Sequence, residues 1–491
     1  MAAVLAACIA FAQVPALAQL PTLGDSSDLN VSAERKLGER IARELYRDPD
    51  YLDDPLLSEY IQGIWQQLLA AARKRGELTA ELDERFAWEV LLGKDKSINA
   101  FALPGGWLGL HLGLLSITTS QDELASVLAH ELSHVTQRHI SRMMTDESRR
   151  SPLVLAGLIL GVLAASKSPD AANAVIASSQ AVAAQGQLNF SRDMEREADR
   201  VGFGVLTQAG FEPQGFVTMF EKLQQASRLN DNGNFPYLRT HPMNSERIAE
   251  MQARQPLGRT APPPPPSFEH SMMTARAKVF SYPGVDGLRG LISEAQGLDA
   301  AKVAPARQAA VYYAAALASS RLREPAASAT WLARLAAVTR GDAKAARLSR
   351  LLEAEVAMSE GNAVRAATLT DLAAADRPEL LLASQARVRA GRAAEVSARL
   401  PTWVALHPRD AAAWQMLAGA YAAQGQTLRS IRAEAEAQVA HLDYAAAVDR
   451  FKAAQELVVR GGAGGDHIEA SIIDTRARQV QSMLREQALE R

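Results

Sequence analysis

The sequence predicts a mainly helical protein, in which an α+β N-terminal domain with a small antiparallel sheet precedes a helical solenoid. The chain of 491 residues is too long for one ordinary core. Alternating apolar residues are concentrated before residue 117, whereas the chain beyond a proline tract at 262–266 is rich in alanine, a strong helix former. The formal charge of -2 shows no basic excess, so we expect no nucleic-acid partner.

The first eighteen residues are apolar and end in Ala16-Leu17-Ala18, which is typical of a secretory signal peptide cleaved after Ala18. The segment lacks a basic residue before its apolar run, and a buried N-terminal helix is the alternative. Its Cys8 is the single cysteine of the chain. Residues 5–8 also fit a lipoprotein cleavage pattern if the true start lies upstream.

The next residues predict two helices and then strands. Apolar residues at helical spacing predict a helix over 31–46. Asp54 and Pro55 are typical of an N-cap and a first-turn proline, and they predict a second helix up to about Arg75. Alternating apolar residues and a Pro-Gly-Gly turn between residues 86 and 117 predict the small antiparallel sheet.

A capping box at Ser120–Glu123 predicts one helix that continues to about Met144. This helix carries the H-E-x-x-H pattern. Its two histidines, His130 and His134, lie four residues apart on one face, so both imidazoles can bind one metal ion. Glu131 is placed to remove a proton from a water molecule at that metal. Two surface histidines on a helix are the alternative.

A second acidic helix begins near Ser191. Glu195 and Asp199 lie four residues apart and share a face. We predict Glu195 as the third metal ligand and Asp199 as the acceptor of the outer N–H of a ligand histidine. Glu197 is expected to point away into solvent. Without the preceding motif, such a pair is more often an ordinary charged helix face.

Three further positions bear on the metal site: residue 140, His139 and His241. A third histidine six residues after His134 is excluded, because Ile140 occupies that position. His139 is expected to be a polar surface residue on a different helix face. His241, which precedes a proline, is either structural or close to the metal, where it stabilises an oxyanion or fills the open coordination position.

Residues 153–165 form an uncharged run that is too short to span a membrane. We predict a buried helix there, with peripheral membrane contact as the alternative. The proline tract marks a stiff linker over 256–275. The predicted domains are therefore 19–255 and 276–487.

The C-terminal domain carries a weak repeat pattern. Trp414, Leu417 and Tyr421 fit the first helix of a tetratricopeptide unit. Glycines recur at intervals of 30 and 34 residues, near the period of such repeats, at Gly361, Gly391 and Gly425. The sequence predicts a tetratricopeptide-like solenoid, with a non-repetitive helical array as the alternative.

Five segments together resemble the zinc metallopeptidase family that includes the CAAX prenyl proteases and the Oma-type mitochondrial proteases. They are 99–106, 130–134, 195–199, 240–242 and 246–248. The resemblance implies a zincin-type domain with one zinc ion held by His130, His134 and Glu195, and with Glu131 as the catalytic base. It also implies that residues 99–106 form a cleft edge to which a substrate adds as a strand.

The order of signal peptide, peptidase domain and repeats is similar to a periplasmic branch of this family. The resemblance implies a periplasmic endopeptidase that degrades misassembled outer-membrane proteins and assists their assembly. It further implies that the repeats bind the substrate or the barrel-assembly machinery, and that His241 restrains the metal. The alternative is a chaperone or adaptor in which the zinc site is latent.

Overall fold

The computed structural model describes residues 30–146, 191–229, 235–255, 266–460 and 466–489. The predicted signal peptide with Cys8, the apolar run at 153–165 and residues 262–265 of the proline tract lie outside the described residues. Among the described helices, none is both long and apolar enough to cross a membrane.

The N-terminal part combines helices with four short strands, and the C-terminal part is helical, as predicted. The elements up to residue 253 are α1 (Val31–Arg47), β1 (Tyr51–Leu52), α2 (Pro55–Arg75), α3 (Ala80–Arg85), β2 (Glu89–Gly93), β3 (Ala100–Leu103), β4 (Trp107–His111), α4 (Leu112–Ile117), α5 (Gln121–Thr136), α6 (His139–Asp146), α7 (Arg192–Gln208), α8 (Gln214–Leu229), α9 (Pro236–Thr240) and α10 (Ser245–Ala253).

The C-terminal part consists of twelve helices within the described residues. They are α11 (Phe268–Ser281), α12 (Val285–Gln296), α13 (Pro305–Arg321), α14 (Pro325–Thr339), α15 (Ala343–Ser359), α16 (Ala363–Leu369), α17 (Arg377–Arg389), α18 (Ala393–Leu406), α19 (Ala411–Ala423), α20 (Thr427–Ala440), α21 (Tyr444–Val459) and α22 (His467–Leu489).

The sheet has the strand order β1-β2-β4-β3. The predicted small sheet is confirmed, but it is mixed and not wholly antiparallel. The turn at 104–106 joins β3 to β4 as an antiparallel pair. Strand β4 also pairs with β2 on its other side, and this second pairing is parallel. The two edges of the sheet are therefore β1 and β3. The strand 100–103 is thus an edge of the sheet. That it forms the edge of a substrate cleft, as the resemblance implied, stays a prediction.

The helix predicted to continue to Met144 is interrupted. Helix α5 ends at Thr136 and α6 begins at His139, because Arg138 adopts a left-handed conformation with φ 53°. Its guanidinium donates to the buried carboxylate of Glu34 in α1 at 3.0–3.1 Å. A contact across 104 residues therefore accompanies a turn that the local sequence does not announce.

Helix α7 crosses α5 at Gly202. A Cβ atom there would lie 3.1 Å from the carbonyl oxygen of Ala129 and 3.2 Å from Cα of His130, closer than most Cβ contacts. Glycine thus allows the two backbones to approach. This approach brings the acidic first turns of α7 next to the histidines of α5.

The C-terminal helices form antiparallel hairpins. The three periodic glycines lie in the turns between paired helices, all with positive φ, at Gly361 (80°), Gly391 (77°) and Gly425 (70°). Their identity as tetratricopeptide units stays a prediction.

One hydrophobic cluster extends from Val31 in α1 to Val356 in α15. Helix α11 packs against both α4 and α13. The core is therefore continuous across the predicted linker, and the predicted domain bounds stay a prediction.

Candidate metal centre

The histidines of the H-E-x-x-H pattern lie on the buried face of α5. His130 and His134 have no solvent exposure, and their Nε2 atoms are 3.0 Å apart. The Ser120 cap forms as predicted, since its hydroxyl accepts from the backbone N–H of Glu123. The Glu123 carboxylate accepts from the backbone N–H of Thr119, one residue before the cap, and not from that of Ser120. The helix start, and with it the position of both imidazoles, is thereby fixed.

Glu195 and His241 complete a group of four donor atoms. Glu195 places one carboxylate oxygen 3.4 Å from His134 Nε2 and the other 3.6 Å from His130 Nε2. His241 Nδ1 lies 2.9 Å from Glu195 Oε1 and 3.3 Å from His130 Nε2. All four donor atoms lie within 4.8 Å of one another. The structure thus brings together every residue predicted to touch the metal.

The spacing of these donors fits a zinc ion. Tetrahedral zinc with bonds of about 2.0–2.1 Å places its ligand atoms roughly 3.3–3.4 Å apart. Five separations in this group, with Glu195 represented by its nearer oxygen, run from 2.9 to 3.6 Å and bracket that value. No two of the four donor atoms are more than 4.8 Å apart. Three imidazole nitrogens and a carboxylate are also ligand types that zinc accepts. The donor set therefore fits the ion that the sequence predicted.

The electrostatics of the centre favour positive charge. Burial alone would lower the pKa of His130, but the carboxylates of Asp199 and Glu195 outweigh it and raise that pKa to about 10. Burial would raise the pKa of Glu195, yet the three surrounding histidines hold it well below its usual range. The pKa of His134 is lowered by burial. An ionised carboxylate therefore faces the nitrogen atoms at neutral pH.

Asp199 lies behind His130, as predicted. Its Oδ1 is 2.9 Å from His130 Nδ1, the ring nitrogen that faces away from the other donors. Arg247, which the sequence analysis did not single out, donates to both oxygens of Asp199 at 2.7 Å and lies 2.8 Å from Glu195 Oε2. One buried guanidinium thus orients both carboxylates. Its only sequence signal was its place in the matched segment 246–248.

His139 corrects one prediction. His139 has no solvent exposure, and its Nδ1 lies 2.9 Å from His134 Nδ1. Its Nε2 lies 3.0 Å from Glu197 Oε2, which also accepts from Arg142. The prediction of a surface histidine was wrong, because it assumed that α5 continued without the turn at Arg138. Glu197 lies outside the donor group and is partly exposed, as predicted, but it also holds His139 and Arg142.

Glu131 is buried between α5 and the edge strand. Its Oε2 accepts from the backbone N–H of Ala102 in β3 at 2.9 Å, and its Oε1 lies 3.5 Å from His241 Nε2. Burial raises its pKa, against the opposing effect of His241 and His130. A carboxyl group of raised pKa is a stronger base once ionised.

Backbone and ring contacts hold His241 in place. Its N–H donates to the carbonyl of Tyr237 at 2.9 Å, and the two rings stack with centroids 4.6 Å apart. Tyr237 in turn donates its N–H to the carbonyl of Ile98, just before β3. The donor from α9 is therefore tied to the same edge strand as Glu131.

Comparison with known proteins identifies the segment that carries these residues. Residues 58–255 match the model of Peptidase family M48. The chain is 36% identical to the "Putative beta-barrel assembly-enhancing protease" of Vibrio cholerae over 57% of each chain. It is 35% identical to the "Beta-barrel assembly-enhancing protease" of Escherichia coli K12 over 52% of each.

The chain is also similar, at lower identity, to a mitochondrial protein. The "Mitochondrial metalloendopeptidase OMA1" of Saccharomyces cerevisiae is 30% identical over 40% of this chain and 55% of its own. The chain thus spans about half the length of the curated relatives it matches. The matched segment contains all four converging donors and Glu131. Residues 58–255 are therefore similar to peptidase family M48, as the sequence resemblance implied.

Proposed function

We propose that this chain is a zinc-dependent endopeptidase of the bacterial periplasm, with His130, His134 and Glu195 as the protein ligands of one zinc ion. The observation that carries the proposal is the convergence of buried donors at tetrahedral spacing within a segment similar to peptidase family M48. When bound, zinc supplies a Lewis acid that acidifies water and polarises a peptide carbonyl.

Glu131 is the general base of this proposal. Its carboxylate takes the proton of the attacking water and delivers it to the leaving amine. The N–H of Ala102 holds Oε2 and leaves Oε1 without a hydrogen bond among the described residues. Because burial raises the pKa of Glu131, and because only the ionised form accepts a proton, activity falls as the pH drops through that pKa.

The position of β3 supports an extended substrate. This edge strand lies next to Glu131, so a segment that pairs with it passes the base. An unfolded or misassembled chain offers many such segments, because its backbone is not engaged in a sheet of its own. The names of the bacterial relatives support outer-membrane β-barrel proteins as this substrate, and the barrel-assembly machinery as a partner of the repeats.

His241 supplies a fourth donor, and this favours a restrained resting state. A ligand in that position occupies the site that water needs. If His241 restrains the centre, His241→Ala raises proteolysis; if it stabilises the oxyanion, the same change lowers proteolysis. An unchanged rate assigns it a structural role. The closed donor set also supports the second candidate function, a chaperone or adaptor with a latent site.

The test combines zinc analysis with cleavage of an unfolded outer-membrane β-barrel protein. We expect one zinc ion per chain in the wild type and in Glu131→Gln, and none in His134→Ala. Glu131→Gln should cleave about 10²–10⁴-fold more slowly. Chelation should abolish cleavage and added zinc should restore it.

Three outcomes contradict parts of the proposal. A folded wild type without zinc rejects the metal site. Equal cleavage by the wild type and Glu131→Gln rejects the assigned base. Zinc-loaded wild type that cleaves nothing, while it still prevents aggregation of the unfolded substrate, favours the chaperone or adaptor function.

A further inference from the structure

A second concave site lies at the opposite edge of the sheet from Glu131. It is a cleft of about 590 Å³ between β1, β2 and the end of α1 on one side and the α18–α19 turn and the end of α20 on the other. This volume is in the range of sites that bind small molecules or side chains. The cleft is therefore built jointly by the N-terminal part and the C-terminal helices, and it is separate from the metal centre.

Aromatic rings line both sides of the cleft. Tyr46 packs edge-to-face on Tyr51 with centroids 5.1 Å apart and stacks on His441 at 4.9 Å. Across the cleft, the rings of Trp403 and His407 lie 4.1 Å apart. Trp403 is buried. The rings that a ligand can reach are therefore the partly exposed Tyr46 and Tyr51 and the exposed His407. Faces of aromatic rings attract cations, guanidinium groups above all.

A double ion pair fixes the two sides relative to each other. Arg377 donates to both oxygens of Asp53 at 2.7 and 2.8 Å and to both oxygens of Asp410 at 3.0 Å. Asp410 also accepts from the indole nitrogen of Trp403 at 2.9 Å. The cleft is thus preformed, and the charge of Arg377 is already neutralised by two carboxylates.

Glu89 is the remaining acid of the cleft. It is half-buried on β2, and its carboxylate accepts from the Tyr46 hydroxyl at 3.2 Å. No lysine or arginine among the described residues forms an ion pair with it. Arg409 lines the same cleft but is exposed, and it acts on Glu89 only at longer range. A half-buried carboxylate beside aromatic faces therefore lacks a bound cation.

We propose that this cleft binds an arginine side chain of a polypeptide, with the guanidinium on the Glu89 carboxylate and against the aromatic faces. A carboxylate accepts two parallel N–H bonds from a guanidinium, and stacking on the rings adds to this pairing. The proposal goes beyond the proteolytic function, since it concerns binding at a site that contains none of the catalytic residues.

The test uses the full chain and two short peptides. The probes are acetyl-Gly-Arg-Gly-amide and the same peptide with citrulline, which has the same shape but no charge. Calorimetric titration should show at least tenfold tighter binding of the arginine peptide. Glu89→Gln should abolish this preference, whereas the matched exposed change Glu81→Gln should leave it intact. Equal binding of the two peptides, or a preference that survives Glu89→Gln, would overturn the proposal.

Arg409 provides a second, independent readout. Because its charge opposes a bound cation, Arg409→Gln should tighten binding of the arginine peptide about two- to fivefold at low salt. Weaker binding would mean that Arg409 contacts the ligand, and it would reject a cationic ligand. Unfolding curves of each variant establish that the fold is intact. Zinc content and proteolysis are measured in parallel, so failure here leaves the proposed function untouched, and the reverse also holds.

Discussion

The metal centre differs in its charge pairing from the junction between the N-terminal part and the C-terminal helices. At this junction, Asp53 and Asp54 form ion pairs with Arg377 and Arg276. At the junction, each buried guanidinium is matched by carboxylates: Arg276 donates to both oxygens of Asp54 at 2.6 and 2.9 Å. At the centre, lone pairs of three imidazoles and a carboxylate converge. Matched charges need nothing from outside the chain, whereas converging lone pairs must be satisfied by protons or by a bound cation.

Arg276→Ala should break the junction and give the largest effect. Removal of one partner of a buried ion pair costs about 3–5 kcal/mol, and Arg276 and Asp54 are both buried. Urea unfolding should show this loss of free energy of unfolding. The matched control is Arg392→Ala, which removes a fully exposed partner of Glu395 and should leave the midpoint unchanged. A loss of less than 1 kcal/mol for Arg276→Ala would show that water replaces the buried pair.

His270 sharpens the comparison, because it is a buried histidine outside the metal centre. The Nδ1 atom of His270 lies 2.6 Å from the Tyr60 hydroxyl, and burial lowers the pKa of His270 to about 4. At the metal centre, by contrast, carboxylates outweigh burial and raise the pKa of His130 to about 10. Between pH 6.5 and 4, His270 is protonated in the unfolded chain but stays neutral in the folded chain. The contribution of His270 to the free energy of unfolding is therefore fully present above pH 6.5 and is lost as the pH falls towards 4.

The size of this effect follows from the shift. For one group, the free energy of unfolding changes by about 1.4 kcal/mol per pH unit, which gives roughly 3 kcal/mol between the two pKa values of His270, in the unfolded and in the folded chain. Unfolding curves of wild type and His270→Gln at several pH values between 7 and 4 should show a shallower decline for the variant. Parallel declines would mean that His270 is protonated in the folded protein.

His139→Ala tests whether the contacts behind the donors support the centre. Loss of a partner that orients a ligand imidazole lowers metal affinity about 10–100-fold. Competition with a chromogenic zinc chelator measures this affinity directly, without any activity assay. His407→Ala, which removes an exposed histidine at the other edge of the sheet, should leave zinc affinity unchanged. An unaltered affinity in His139→Ala would reduce its role to packing.

The smallest effect is expected at the turns of the repeats. Gly391 has φ 77° and open space around its Cα, so Gly391→Ala carries only the cost of a left-handed backbone, about 1–2 kcal/mol. Gly341 has equally open space but no positive φ, so Gly341→Ala should be neutral or slightly stabilising. Equal effects of the two substitutions in thermal unfolding would contradict this account of the turns.

Sequence periodicity anticipated the residues of the centre where the chain is regular. Histidines four apart on a capped helix must share a face, and so must Glu195 and Asp199; the structure brings both pairs together. The fold class was equally accessible, since helix formers dominate after the proline tract. The three periodic glycines also lie at turns that need positive φ.

The parts that sequence could not supply depend on distant contacts. The left-handed Arg138 is held by Glu34, and Arg247 meets Asp199 from 48 residues away. Neither contact leaves a local pattern, so His139 was assigned to the surface. The parallel pairing of β2 and β4 was missed for a related reason, since strands of five residues or fewer specify register and partner only weakly.

The continuous cluster from Val31 to Val356 places residues 58–255 and the first C-terminal helices in one hydrophobic core. Excising residues 58–255 would strip apolar side chains of their neighbours, and the fragment would aggregate before its chemistry could be judged. Helix α11 packs on α4, which directly precedes the helix of the metal centre, so a displacement of α11 would be transmitted to α4 through shared packing.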